Sequence, residues 1–271
     1  MNLSGAVVQQ HYDETRQVSS VPGAEGAASG QFNGQQYVAR VEAGFDLHVG
    51  EIVALVGESG SGKSTLGRIA LGLLQPDAGR VMFDGKDLNA LTPDAFRRLR
   101  TDMQPIFQDS TASLNPRKTV RALLTQALWK QPGNEHARCT ALLEDVGLLP
   151  AARFLDRFPH ELSGGQRQRV SIARSLAMEP RLIIADEPLS GADVSIRGQV
   201  LNLLLEIQRR RDVAYLMTTH DISIARAFAD RVAVMMKGEL VEIGPAQDVL
   251  TTPQHPYTQR LVAAVPRIEL D

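Results

Sequence analysis

The stretch GEIVALVGESGSGKSTLGRIALGLL, residues 50–74, decides the reading of the fold. It opens on a run of apolar residues, Ile52, Val53, Ala54, Leu55 and Val56. A short apolar run of this kind, bounded by turn residues, reads as a strand buried on both faces in a parallel sheet. The residues that follow, Gly57, Glu58, Ser59, Gly60, Ser61, Gly62, Lys63, Ser64 and Thr65, fit the phosphate-loop pattern G-x-x-x-x-G-K-[ST]. Glycines let successive backbone N–H groups converge on phosphate oxygens, Lys63 adds a cation, and the Ser64 hydroxyl can ligate Mg²⁺. Beyond the loop the pattern runs into a helix. The alternative, an ordinary glycine turn, does not explain why a strand precedes it and a helix follows.

Composition sets the frame around this unit. With 271 residues and 43% hydrophobic content, the chain can bury a core as one large domain or as a domain with a lobe. A net charge of −2 gives no bulk reason to expect nucleic-acid binding. Cys139 is the single cysteine, which rules out an intramolecular disulfide and a cysteine-based metal cluster and suits a reducing compartment. No run approaches the roughly 18 apolar residues of a membrane span. The N-terminal residues MNLSGAVVQQHYDE lack the basic start and apolar core of a signal peptide. Any membrane role is therefore expected to come through a partner.

Along the chain, GAVVQQHY reads as a short first strand, and VPGAEGAASGQFNGQQ, residues 21–36, as a flexible loop rich in Gly, Ala and Ser. Residues 92–158 alternate apolar and polar positions at helical spacing, with Pro105, Pro116, Pro132 and Pro150 as punctuation, and read as a helical lobe inserted into a sheet domain. RLIIADEP and VAYLMTTH are continuous apolar runs of the parallel-strand kind. RVAVMMKGELVEIG reads as a hairpin turning at Lys237-Gly238, and DVLTTPQHPYTQRLVAAVP as short helices. There is no internal repeat.

Four further places carry candidate chemistry. In HELSGGQRQRVSIARSLAMEP, residues 160–180, Ser163, Gly164 and Gly165 precede a helix recognisable from Gln166 onward by Val170, Ala173, Leu176 and Ala177. A serine and bare backbone N–H groups at the positive end of a helix suit an anion, while the plain reading is a helix cap. Asp186-Glu187 ends the strand run LIIA, and adjacent carboxylates there are costly unless paired. Mg²⁺ would pair with Asp186, leaving Glu187 to polarise an attacking water; solvated acids in a strand-end turn are the alternative. His220 follows YLMTT at a strand's carboxyl end, where open α/β sheets bind ligands, although a lone histidine also serves structural ends. Gln108 in PIFQDS carries no signal on its own.

The order phosphate loop, FQDSTASLNPR, LSGGQRQR, LIIADEP, SGADVS, TTHD resembles the ATP-binding cassette family over essentially the whole chain. The resemblance implies an α/β fold: a P-loop NTPase (RecA-like) core with a mostly parallel sheet, an N-terminal antiparallel β-subdomain and an inserted α-helical lobe. It implies one cassette over residues 1–271, with 1–108 and 165–235 as the ATP-binding core, 109–164 as the helical signature lobe, and 236–271 as a C-terminal hairpin with short helices. ATP and Mg²⁺ are the implied ligands. Ser163, Gly164, Gly165 and Gln166 correspond to the signature motif, which in the family holds the γ-phosphate of ATP bound by the other cassette of a head-to-tail dimer. By the same resemblance Glu187, His220 and Gln108 are catalytic. Ser64, Gln108 and Asp186 attend the metal, and Asp193 communicates across the dimer. Tyr12 is chosen to stack on adenine; Phe32 and Tyr37 also suit that task, and a buried structural ring is an equally good reading of each.

Within the family, GESGSGKST, IFQDSTASLNPR, FPHELSGGQRQRVSIARSLA and HPYTQRLVAAVP are similar to the subfamily serving oligopeptide, dipeptide and nickel importers. That similarity implies a second cassette (a copy or a paralogue), two transmembrane permease subunits, an extracytoplasmic binding protein, and a peripheral place on the cytoplasmic face of the inner membrane, with no nucleic-acid partner. Nickel, glutathione, oligosaccharide and opine transport would use a similar cassette. Ala192 departs from the leucine common before the loop aspartate. The chain also stops at Asp271, before the cysteine-rich extension of many peptide-importer members. The rival reading is a cassette accessory to a soluble enzyme complex, like those of carbon–phosphorus lyase.

Overall fold

The computed structural model describes residues 2–11, 28–32, 35–108, 113–129, 133–190 and 194–264, with side chains described from Gly44 onward, residues 194–196 excepted. In chain order the elements are β1 (Asn2–His11), β2 (Ala28–Phe32), β3 (Gln35–Asp46), β4 (Ile52–Val56), α1 (Lys63–Ala70), β5 (Ala78–Phe83), β6 (Lys86–Asp87), α2 (Pro93–Leu99) and β7 (Met103–Ile106). There follow α3 (Val120–Ala127), α4 (Glu135–Asp145), α5 (Ala152–Leu155), α6 (Gly164–Leu176), β8 (Leu182–Asp186), α7 (Val194–Arg211), β9 (Ala214–Thr219) and α8 (Ile222–Phe228). β10 (Arg231–Met236), β11 (Glu239–Pro245), α9 (Ala246–Thr251) and α10 (Pro256–Ala263) complete the described chain. Two compact units emerge: Met1–Phe96 with Leu216–Asp271, and Arg97–Tyr215.

In the first unit the strands run in the order β6-β5-β1-β3-β11-β10-β4-β9, with β2 on β3. β1 is antiparallel to β3 and to β5, and β2 is antiparallel to β3, which makes the N-terminal antiparallel subdomain. β4 lies parallel to β10, in the register Val56↔Val234. Every β4 residue is buried, as a strand covered on both faces requires. Alternate residues Ala54, Val56, Val232 and Val234 share one face with Ile222 and Ala225 of α8, Ala246, Val249 and Leu250 around α9, and Tyr257 of α10. The base of β4 is locked to β10: the Ile52 N–H donates to the Asp230 carboxylate at 2.8 Å, and the Asp230 N–H to the Ile52 carbonyl at 2.9 Å.

The β10–β11 hairpin turns at Lys237 (φ 49°) and Gly238 (φ 89°). Positive φ at both central residues matches the right-handed twist of the flanking strands. Within the stretch 21–36 expected to be a loop, residues 28–32 and 35–36 are strand, β2 pairing with β3 from Ala28↔Ala39 to Phe32↔Gln35, while the rest of that stretch lies outside the described residues. In the sequence Asn33-Gly34 stands between these two strands, a dipeptide preferred in two-residue hairpins.

In the second unit β7 and β8 pair in parallel, from Met103↔Leu182 to Ile106↔Ala185. Residues 103–106 lie in the stretch read as helical from its spacing. They form a strand because Met103 and Ile106 are buried beside β8 and Pro105 disfavours a helix interior. Helices α3 and α4 pack on α6 around Leu123, Leu124, Cys139, Leu143, Val170 and Ala173, all buried. Each of these lobe helices starts on a side-chain cap: Thr119 Oγ1 accepts from the Ala122 N–H, and Asn134 Oδ1 from the Ala137 N–H.

Candidate functional site

In the first unit the phosphate loop leaves β4 at Val56 and enters α1 at Lys63. Gly57 has φ 152°, and a Cβ there would lie 2.2 Å from the Met235 carbonyl oxygen and 2.9 Å from Ser61 Oγ. Backbone approach of that closeness to β10 requires glycine. Gly62, at φ 103° and ψ 0°, turns the chain into α1 and stands at its N-cap without a side chain. The positive end of α1 thereby faces the loop, the arrangement that favours phosphate.

Lys63 is 5% exposed, and its ammonium donates to the carbonyls of Gly57 and Glu58 at 2.8 Å each. The cation is thus held inside the ring of the loop. Further bonds fix the loop's shape: the Ser61 N–H donates to the Glu58 carbonyl at 3.2 Å, and the Gly238 N–H donates to the Ser61 carbonyl at 3.0 Å. The Glu58 N–H donates to the Tyr257 hydroxyl at 3.1 Å.

β9, the neighbour of β4, ends at Thr219 and delivers the exposed His220. Its flanks are locked, since the Asp221 N–H donates to Thr219 Oγ1 at 3.0 Å and the Asp221 carboxylate caps α8 by accepting from the Ser223 N–H at 2.8 Å.

In the second unit Asp186 ends β8 and Glu187 follows at φ 43°. The left-handed region is unusual for a residue with a Cβ, and such conformations cluster at functional sites. Two bonds hold the turn: the Ser190 N–H donates to the Glu187 carbonyl at 3.1 Å, and the buried Gln168 amide of α6 donates to the Pro188 carbonyl at 2.9 Å. Gln108, two residues beyond β7, donates through Nε2 to Ser190 Oγ at 3.1 Å. The glutamine expected to sense the nucleotide and the loop after the carboxylates are therefore joined directly. Neither Ser190 nor Gln168 is marked by the sequence, because each acts on a position far along the chain.

Ser163 caps α6 in a reciprocal capping box: its Oγ accepts from the Gln166 N–H at 3.3 Å, and its own N–H donates to Gln166 Oε1 at 3.0 Å. The cap reading is thus realised, and it orients Gly164 and Gly165 in the first turn. The same helix holds β7 through Ser175 Oγ, which donates to the Pro105 carbonyl at 2.7 Å, and holds the approach to α3 through Arg174, which donates to the Ser113 carbonyl. One helix thus connects Ser163 to the strand before Gln108 and to the turn at Glu187.

Tyr12 and Asp193 lie outside the described residues, and Phe32 and Tyr37 are described by backbone only, in β2 and β3. For a metal, the candidate donors are a hydroxyl (Ser64), an amide (Gln108) and a carboxylate (Asp186), all oxygen ligands suited to hard Mg²⁺. With Gln108 Nε2 directed to Ser190, its oxygen is the atom left for a cation. Among the described residues no group of three or more His, Cys, Asp or Glu is gathered as a metal cage.

Residues 42–190 match the family described as ABC transporter, and residues 241–271 match the oligopeptide/dipeptide transporter, C-terminal region. The chain is 51% identical over 229 residues to the glutathione import ATP-binding protein GsiA of Escherichia coli K12, an alignment covering 83% of this chain and 36% of that protein. The corresponding protein of E. coli O157:H7 is 52% identical with the same coverage. The chain therefore spans about a third of the length of the curated relatives it matches. Its fold is similar to that of cbiO1 from Clostridium perfringens, part of the ABC transporter complex cbiONQ, at 28% identity and TM-score 0.71, covering 83% of this chain and 88% of that one. It is also similar to the ATP-binding cassette MJ0796 in a dimeric post-hydrolysis state bound to ADP and Pi, at 29% identity and TM-score 0.70, covering 82% and 97%. The family match alone spans more than half of the 271 residues, and with the phosphate loop built as described, the chain belongs to the ABC transporter family.

Proposed function

We propose that the chain is the ATP-hydrolysing subunit of an importer of the oligopeptide, dipeptide and nickel type. The observation that carries this is the pairing of an ABC transporter match with an oligopeptide/dipeptide C-terminal region in one chain. Peptide-class cargo, glutathione included, is supported by that region and by the glutathione import role of the E. coli relatives. The subunit works peripherally on the cytoplasmic face of the membrane with a second cassette, two permease subunits and an extracytoplasmic binding protein. Among the described residues no helix is long and apolar enough to cross a membrane. The functional division takes residues 1–108 and 165–235 as ATP core, 109–164 as signature lobe and 236–271 as C-terminal segment.

In this reading residues 57–65 bind the phosphates, with Lys63 neutralising charge on them. Tyr12 stacks on adenine. Ser64, Gln108 and Asp186 would hold Mg²⁺, which when bound neutralises phosphate charge. Glu187 accepts a proton from water as the water oxygen bonds to the γ-phosphorus and the bond to the bridging oxygen breaks. His220 donates to the γ-phosphate. Ser163, Gly164, Gly165 and Gln166 face the γ-phosphate held by the partner cassette, and Asp193 relays its state across the dimer. Because α6 ties Ser163 to the turn at Glu187, closure of one interface reaches both.

Two replacements of Ser163 differ in the space they leave. Ser163→Ala removes the hydroxyl that caps α6, at a cost of about 1 kcal/mol of stability, and with it one contact to the partner's phosphate, but leaves room for that phosphate. Ser163→Arg fills the space for a partner's phosphate, so ATP-dependent dimerisation is lost while nucleotide binding by the monomer persists. Sizing columns with ATP, run beside melting curves, read both; dimers of the arginine variant would refute the in-trans role.

Coupling is assigned to the segment after Gln108. Asn115 Oδ1 accepts from the Arg117 N–H at 3.0 Å, folding a turn around Pro116 that leaves Arg117 exposed. Arg117→Glu is expected to lower transport in membranes by several-fold more than ATPase activity of the isolated subunit. Equal losses would move the coupling surface elsewhere. The importer reading itself is tested by purification in mild detergent: permease subunits should accompany the chain, and recovery with soluble enzymes alone would overturn it.

A further inference from the structure

We infer that Tyr257 is a positioning residue for the phosphate loop, and that the C-terminal segment carrying it sets nucleotide affinity. The inference rests on reading residues 57–65 as the phosphate loop of ATP. Tyr257 is 5% exposed, in the first turn of α10, and packs against Ala54 and Val56 of β4 within the core of the first unit. Its hydroxyl oxygen accepts the Glu58 N–H at 3.1 Å, across 199 positions of sequence. The Glu58 carbonyl in turn accepts from Lys63 Nζ at 2.8 Å and from the Ser61 N–H at 3.2 Å. Both peptide groups of Glu58 are thereby pinned, one by α10 and one by the loop itself.

The remaining restraints come from the same side. The Gly57 backbone lies against the Met235 carbonyl, and the Ser61 carbonyl accepts the Gly238 N–H at 3.0 Å. Tyr257 is itself placed by a built turn. Glu242 of β11 accepts the N–H groups of Gln254 and His255 at 2.9 and 3.0 Å, and His255 Nδ1 caps α10 by accepting the Tyr257 N–H at 3.2 Å. A loop held in shape before it meets phosphate loses less freedom on binding. Without the hydroxyl, the Gly57–Glu58 peptide can rotate and carry the Gly57 carbonyl, which orients Lys63, out of place.

Tyr257→Phe in the full chain should therefore raise the ATP dissociation constant and KM by about 2–10-fold, the range of one net hydrogen bond, with kcat at saturating ATP unchanged. Titration with a fluorescent trinitrophenyl-ATP probe and steady-state phosphate release measure these, and a melting curve without nucleotide runs alongside. A lower melting temperature with unchanged ATP affinity would make Tyr257 a packing residue and overturn the inference. Glu242→Gln, which keeps Tyr257 but loosens its turn, should shift affinity in the same direction by less; no shift in either variant is equally decisive against it. Lys63→Ala serves as the reference: loss of ATP binding there with none in the Tyr257 variant fails the inference alone. Unchanged binding in Lys63→Ala removes the phosphate-loop reading and the inference with it.

Discussion

Glu187→Gln is expected to bind ATP as the parent chain does and to hydrolyse it about 10²–10⁴-fold more slowly, the usual worth of a positioned general base. The amide keeps the carboxylate's shape but cannot accept a proton from water. The backbone should tolerate the change, because the left-handed turn at φ 43° is held by the Ser190 N–H and by Gln168 acting on Pro188, none of which involves the Glu187 side chain. With hydrolysis stopped and binding intact, an ATP-bound dimer should accumulate on a sizing column. Phosphate release at the parent rate from a homogeneous variant would sink the assignment and send the search for the base elsewhere in the cassette.

Gly57→Ala should cost about 2–4 kcal/mol of folding stability, combining backbone strain with overpacking. A methyl group there would meet the Met235 carbonyl oxygen at 2.2 Å, and that oxygen belongs to β10, whose register with β4 is fixed by successive parallel pairs. The neighbour is backbone and cannot swing aside. Gly60→Ala provides the contrast: φ is 80° but nothing lies within 4 Å of the added carbon, so only the left-handed cost of roughly 1–2 kcal/mol applies. Chemical denaturation of both variants measures the difference. Equal losses would show that β4 and β10 separate more readily than their packing implies.

How far these features could be read in advance depended on the span of the interactions that make them. The phosphate loop, the strand before it and α1 lie within residues 50–74, and local periodicity with glycine spacing suffices to find them. The same holds for the turn at Lys237-Gly238 and the helix after Ser163. β7 escaped because a short strand containing proline has too few residues to display its period against the helical pattern around it. β2 is hard to read for a different reason: its Asn-Gly signal sits inside a stretch whose small-residue composition reads as a loop. In the candidate site, residue types with direct chemistry, such as Lys63, Asp186 and Glu187, announce themselves beside a strand end. Ser190, Gln168 and Tyr257 do not, because a serine, a glutamine and a tyrosine acquire meaning only from partners that the fold brings close. His220 is intermediate, legible by its place after a strand but silent about what holds it.

The restraints on the phosphate loop also impose an order on biosynthesis. Glu58 leaves the ribosome 199 residues before Tyr257, an interval of about 10–40 s at common elongation rates. Until residue 231 β4 has no β10 beside it, and the Gly238 and Tyr257 contacts come later still, so for most of that interval the nascent loop is complete in sequence but unsupported in shape. Competence to grip a nucleotide therefore arrives late in translation, and a ribosome stalled ahead of residue 235 would present a phosphate loop that chaperones and proteases meet before ATP does.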